Sequence, residues 1–172
     1  MPARINIYCR RSTAHLTADA LRRELDAADL MTLAEHLELP EGEEAAVRAI
    51  RPHLRVEAAS APELRYAEVH WKPAGRPIQI SRATEVAGEL AETLENLPEA
   101  DMSGARRVRA HLASCQEIVH FEMGIDDSLH LGAVLGEVLA FCFAEEGDGL
   151  IWFYHRDWAS PEDRGLCLWT TE

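Results

Sequence analysis

Residues 131–149 have the sequence LGAVLGEVLAFCFAEEGDG, and this segment is the most informative about the fold. Its apolar residues surround most of the circumference of a helix, and a helix of that kind is buried in a core. Gly132, Gly136 and Ala140 recur every four residues, and such small side chains let a neighbouring backbone approach closely. The segment Gly147-Asp148-Gly149 offers the flexible backbone on which helices end. We therefore predict a central, buried helix that ends at this glycine pair.

Strands are predicted on both sides of this helix. Before it, Val119, Phe121, Met123 and Ile125 alternate with Ile118, His120 and Glu122, which is typical of a strand with its first set buried. After it, residues 150–158 are predicted to form a strand. That strand is expected to pair with residues 166–171 across a turn at residues 160–165.

The first two thirds of the chain repeat a similar order of elements. Ile5, Ile7 and Cys9 predict an opening strand with one buried face, and helices follow it up to residue 50. Two strands, two helices, one strand, the central helix and two more strands complete the order. It predicts one α+β domain over residues 1–172, with a mixed or antiparallel sheet of about six strands. A strand-helix-hairpin unit would then occur twice.

The net charge of the chain limits the classes of partner that it is expected to bind. Its 172 residues include 30 acidic and 17 basic ones, which gives a formal charge of −13. Such a charge repels the phosphates of nucleic acids and anionic lipids, so we expect neither nucleic-acid nor membrane partners. It attracts a basic partner, although an acidic surface also serves solubility alone.

Compartment is suggested by the N-terminus and the cysteines. The first residues contain no apolar signal core, and no apolar run is long enough to span a bilayer. The four cysteines are isolated and lack C-x-x-C spacing, so we expect mostly buried free thiols in place of a zinc site or disulfides. These features predict a cytoplasmic protein without a cofactor. The cysteines are Cys9, Cys115, Cys142 and Cys167.

Motifs of the common enzyme classes are absent from the sequence. It has no phosphate loop, G-x-S-x-G elbow, H-E-x-x-H or dinucleotide fingerprint, so we do not expect an enzyme. One alternative stays open, because His120 and Glu122 share one face of a predicted strand, as do His155 and Asp157 on another. If the two strands were neighbours, these four side chains would suit a metal or general acid-base chemistry.

The aromatic run at residues 152–158 suggests a protein-binding surface. Alternation along a strand places two tryptophans, a tyrosine and an arginine on one face, and these residue types dominate protein interfaces. Three acidic residues just before the run would steer a basic partner. In the alternative, helices cover both faces of the strand and the aromatics belong to the core. The predicted partner-binding residues are Trp152, Tyr154, Arg156, Trp158, Glu145, Glu146 and Asp148.

The chain resembles the small acidic immunity proteins that accompany bacterial polymorphic or contact-delivered toxins. The resemblance lies in the size, the charge, the signal-free N-terminus and the closing stretch at residues 131–158. It implies a protein without chemistry of its own that neutralises a cognate, basic toxin by covering its active site or an adjacent surface. A structural or regulatory subunit is a further alternative, which stable self-association without a partner would indicate.

Overall fold

The structure is a computed structural model that describes residues 3–39, 42–58, 66–72, 75–97, 103–125, 130–163 and 167–170. Within these residues eight strands form one sheet. They are β1 (Ala3–Cys9), β2 (Arg55–Ala58), β3 (Tyr66–His70), β4 (Ile78–Ala83), β5 (Glu117–Met123), β6 (Gly149–Phe153), β7 (Asp157–Ala159) and β8 (Cys167–Thr170). Their order is β2-β3-β4-β5-β1-β6-β7-β8, and every neighbouring pair is antiparallel.

Helices cover both faces of this sheet. The described helices are α1 (Ala18–Ala27), α2 (Leu30–His36), α3 (Glu43–Ala49), α4 (Ala87–Asn96), α5 (Ser103–Leu112) and α6 (Leu131–Gly147). A larger core lies between one face and α1, α2, α3 and α6, whereas a smaller core lies on the opposite face under α4 and α5. The predicted α+β class with an antiparallel sheet is confirmed.

The central strand β1 is buried on both faces. Ile5 and Ile7 point into the larger core, and Tyr8 lies in the smaller core with none of its surface exposed. The prediction of a single buried face for this strand is therefore wrong. Its second face is covered because α4 and α5, which lie far away in the sequence, pack across the sheet there.

Helix α6 confirms the prediction of a central buried helix. It contacts β1, β5 and β6 of the sheet and also packs against α1, α2 and α3. A Cβ atom built on Gly136 would lie 2.8 Å from Cε of Met123 and 3.2 Å from Cδ1 of Ile5, so the side chains of β5 and β1 pack closely against the helix at this glycine. The helix ends at Asp148, whose positive φ of 49° is the left-handed conformation of a helix C-terminus.

The sheet has more strands than the six or so predicted, partly because residues 150–158 are not one strand. The chain turns back at residues 154–156, so that Trp152 and Trp158 face each other across the β6–β7 hairpin. Tyr154 and His155 both have positive φ values, of 52° and 59°. The backbone N–H of Arg156 donates to the carbonyl of Phe153 at 2.8 Å, which closes the turn. The other predicted turn, at residues 160–165, lies partly outside the described residues.

The two halves of the chain interleave in the sheet. Each half has one strand, then helices or a helix, then a three-stranded meander. The opening strand of each half pairs with the meander of the other, because β1 lies beside β6 and β5 lies beside β4. The two units expected from the order of elements are thus not separate bodies.

Two of the four cysteines are buried, as the sequence predicts for most of them. Cys9 and Cys142 are buried as expected, Cys115 is half-buried, and Cys167 is exposed. Among the helices in the described ranges, none is both long and apolar enough to cross a membrane.

Candidate binding groove

The predicted aromatic surface is largely internal. Trp158 has none of its surface exposed, and its ring stacks on that of Trp152 with centroids 5.2 Å apart and 12° between the planes. Tyr8 lies against Trp158 at 5.2 Å. The prediction that Trp158 contacts a partner is therefore wrong, because α4 and α5 cover this face and the tryptophans fill the smaller core. The alternative, in which these aromatics belong to the core, describes Trp158.

The turn between β6 and β7 carries the exposed part of the predicted surface. Tyr154 is 39% exposed, and His155 and Arg156 are exposed as well. The imidazole of His155 packs edge-on against Trp152 at 4.6 Å, and its desolvation, with a contribution from the nearby charge of Arg4, lowers the pKa of His155 below its usual value. Tyr154 and Arg156 thus remain available to a partner, whereas the neighbouring tryptophans do not.

All three predicted acidic residues interact with other residues of the chain, and two of them form ion pairs. Glu146 pairs with His15 at 2.9 Å, and Asp148 pairs with Arg10 at 2.9 Å. The hydrogen bond from Arg10 holds the pKa of Asp148 below its usual value. Glu145 is exposed and lines the groove described below.

The four residues of the metal or acid-base alternative do not converge. β1 lies between β5 and β6, so the strand of His120 and Glu122 is no neighbour of the hairpin that holds His155 and Asp157. Glu122 pairs with Arg4, and Asp157 accepts a hydrogen bond from Thr170 at 2.8 Å. Within the described ranges, no group of three or more His, Cys, Asp or Glu side chains is placed to hold a metal ion. The hypothesis of a shared site is therefore wrong.

His120 and His155 do line one cavity, of about 430 Å³, between α4 and the sheet. His120 lies 3.2 Å from the Asn6 side chain on one side and 3.3 Å from Glu89 of α4 on the other. The hydroxyls of Tyr8 and Thr93 lie 3.2 Å apart. These contacts fasten α4 to the sheet, whereas the indole N–H of Trp152 in the same cavity is buried and has no hydrogen-bond partner among the described residues.

A second cavity lies on the opposite face, as a groove of about 540 Å³ between α1, α2 and α6. Leu33, Val138 and Phe141 are half-buried and form its apolar floor. Its lining also includes four carboxylates, and His36 is the only basic side chain among the described residues that line it. The four carboxylates are Glu24, Asp29, Glu137 and Glu145.

The groove is formed by the bend of the chain after α1 and by one face of α6. Asp29 caps α2 by accepting from the backbone N–H of Thr32 at 3.2 Å, which bends the chain directly after α1. Arg51 donates to the carbonyl of Ala28 at 2.9 Å and holds that bend. On α6, residues 137, 138, 141 and 145 follow helical spacing and therefore form one continuous wall.

Glu137 is the unusual residue of this groove. It is half-buried, and it makes no hydrogen bond or ion pair with any residue that the structure describes. Desolvation raises its pKa, and His36 opposes this effect only in part. Tyr154 lies close enough for Glu137 to contribute to the rise of the Tyr154 pKa to about 12, although desolvation is the larger cause.

Sequence reasoning missed this groove, but one signal for it was present. Glu137 is the only charged residue between positions 131 and 144, in a stretch that is otherwise apolar or small. A carboxylate at such a position needs a reason, because burying a charge is unfavourable unless it is paired. The rest of the groove depends on helices about 100 residues apart in the chain, and no local pattern predicts their contact.

Comparisons with known proteins add no relative. No family model matches the chain, and neither a curated protein nor a solved structure matches it significantly.

Proposed function

We propose that this chain is a toxin-neutralising immunity protein, which binds a basic bacterial effector through the groove between α1, α2 and α6. The observation that carries the proposal is the lining of that groove, where four carboxylates surround an apolar floor with no Arg or Lys among the described lining residues. Opposite charge across an interface selects partners and accelerates their encounter. An apolar floor supplies the contact area that holds them.

The net charge of −13 supports the same conclusion on a larger scale. A chain of this charge attracts a basic protein over distances of about one Debye length, roughly 8 Å at physiological salt. Binding is then expected to weaken as the salt concentration rises.

Exposed residues next to the groove extend the proposed interface. Phe141 in the groove lies 6.2 Å from Phe153, and Phe153 lies 6.3 Å from Tyr154, measured between ring centroids. This row of rings leads from the groove to the exposed β6–β7 turn. We therefore keep Tyr154, Arg156 and Glu145 in the proposed partner-binding surface and leave Trp158 out of it.

The proposed mechanism is occlusion. The protein would cover the active site or an adjacent surface of the effector in the bacterial cytoplasm, and no chemical step of its own is required. Affinity would come from a few well-packed side chains in the groove, with the remaining carboxylates setting the rate of association.

Charge reversal in the groove tests this proposal. The protein is co-expressed with the product of the neighbouring gene, and the growth of the host cells is followed. We expect the native chain to protect the cells and a Glu24→Lys/Glu145→Lys variant to lose protection, because both reversed side chains line the groove. The matched control is Glu92→Lys/Glu95→Lys, which makes the same change of net charge at two exposed residues of α4 across the sheet and should still protect.

Two results would count against the proposal. One is full protection by the groove variant, provided that its circular dichroism and thermal midpoint match those of the control. The other is the absence of any protection by the native chain. Loss of protection in the control Glu92→Lys/Glu95→Lys as well would show that net charge, and not the groove, decides binding.

A further inference from the structure

We infer that the groove contains a binding site for a single arginine side chain of the bound partner, which we call the socket. It is formed by Glu137 and by Val138 and Phe141 of the apolar floor. This inference rests on the proposed function and specifies which chemical group of a basic partner the groove selects.

The Glu137 carboxylate is poorly compensated in the free protein. It sits half-buried among apolar side chains and has no hydrogen bond or ion pair with the part of the chain that the structure describes. A partly desolvated carboxylate of this kind is a costly feature in the free protein. A cation supplied by a partner removes that cost, so the carboxylate gains more from binding than the exposed ones do.

No permanently charged cation among the described lining residues competes with a partner for Glu137. The charged or titratable groups that line the groove with Glu137 are Glu24 of α1, Asp29 and His36 of α2, and Cys142 and Glu145 of α6, and Tyr154 of the turn lies near its charge. Of these only His36 can carry a positive charge, and it is exposed. The described residues of the chain therefore provide no permanent cation for the socket.

The groove suits an arginine side chain better than a lysine side chain. A guanidinium is planar and less strongly hydrated than an ammonium, and it binds a carboxylate through two parallel hydrogen bonds. It also stacks on aromatic rings, and Phe141 lines the groove. The aliphatic part of an arginine side chain would lie along Leu33 and Val138. The groove volume of about 540 Å³ lies within the range of specific ligand pockets.

The test uses two short amphipathic peptides of alanine and leucine that differ at one position. One carries a single arginine, and the other carries citrulline, which has nearly the same shape without the charge. Binding is followed through the NMR signals of the methyl groups of Leu33 and Val138, with the full-length protein. We expect the arginine peptide to shift these signals in the millimolar range and to bind at least about tenfold more tightly than the citrulline peptide.

A Glu137→Gln variant keeps the size of the side chain and removes its charge. It should lose most of the preference for arginine, keeping only the part due to the other carboxylates of the groove, whereas the matched control Glu95→Gln should keep the full preference. Since the variant removes a desolvated charge, we expect its thermal midpoint to equal or exceed that of the native chain. That measurement shows whether the variant is folded.

Three results would overturn the inference. They are equal binding of both peptides by the native protein, an arginine preference of undiminished size in Glu137→Gln, and no methyl shift with millimolar arginine peptide. Failure of the socket and failure of the proposed function are distinguishable. If Glu24→Lys/Glu145→Lys abolishes protection while Glu137→Gln protects fully and shows no change in peptide preference, the groove binds the effector without this socket.

Discussion

At the scale of single residues, Glu117 is the charge on which the structure depends most. It is 1% exposed, and it accepts hydrogen bonds from the backbone N–H of Thr13 at 3.1 Å and from the hydroxyl of Ser12 at 3.2 Å. Arg82 of β4 pairs with it at 3.2 Å. One buried carboxylate thereby ties the loop after β1 to two strands of the sheet.

We predict that Glu117→Gln lowers the free energy of unfolding by about 3 kcal/mol, because it removes the charge that compensates the buried Arg82 guanidinium. Urea unfolding of the two proteins measures the difference. The matched control is Glu146→Gln, which breaks only the exposed pair with His15 and should change stability by less than about 1 kcal/mol. Equal effects of the two substitutions would contradict the assigned role of Glu117.

Glu117 and Glu137 show why single residues were hard to assign from the sequence. Glu117 begins an apolar stretch and Glu137 interrupts one, and the local patterns correctly predict a strand next to Glu117 and a helix around Glu137. Yet Glu117 is paired through Arg82 and Ser12, whereas Glu137 has no such partner among the described residues. The difference lies in contacts between distant segments, which no pattern within one element contains.

At the scale of elements, the β6–β7 hairpin is the one that the sequence concealed. Tight hairpins are usually announced by Asn-Gly or a similar pair, because two central residues with positive φ favour those side chains. Here Tyr154 and His155 occupy these two positions, and the run at residues 152–158 therefore resembles an uninterrupted strand. Helix α6 was predictable because its apolar pattern is continuous and its glycines mark its end.

We predict that Tyr154→Asn/His155→Gly raises the free energy of unfolding by about 1 kcal/mol, since it relieves two left-handed non-glycine residues. The same variant should bind the effector less well, because Tyr154 belongs to the proposed interface. Thermal unfolding and a binding assay measure the two effects. As a control, Arg156→Gly adds a glycine where φ is not positive and should lower stability. A double variant less stable than the native chain would contradict the account of the turn.

At the scale of the whole molecule, the sheet separates two different kinds of surface. On one face α4 is fastened by a polar network, in which His120 and Tyr8 are already satisfied. On the other face α1, α2 and α6 leave a groove with an apolar floor and an acidic rim. Under the proposed function, the second face is the one that binds the partner.

The sequence predicted the α+β class and most of the elements, but it could not supply the topology. The pairing of β1 with both β5 and β6 joins segments more than 100 residues apart, and it decides which helices share a face. The groove follows from that arrangement, since α6 meets α1 and α2 on the same side of the sheet. The alternative of a shared metal or acid-base site failed because Glu122 and Asp157 pair elsewhere, with Arg4 and Thr170, and because β1 separates the strand of His120 from the hairpin of His155.

Hydrogen exchange of the protein, alone and in complex with the product of the neighbouring gene, is the decisive test of the proposed groove. The account predicts slower exchange on binding in α2, in the last turn of α1 and in the β6–β7 turn, with α4 and α5 unchanged. Protection confined to α4 and α5, or no protected segment in a complex that does form, would contradict it.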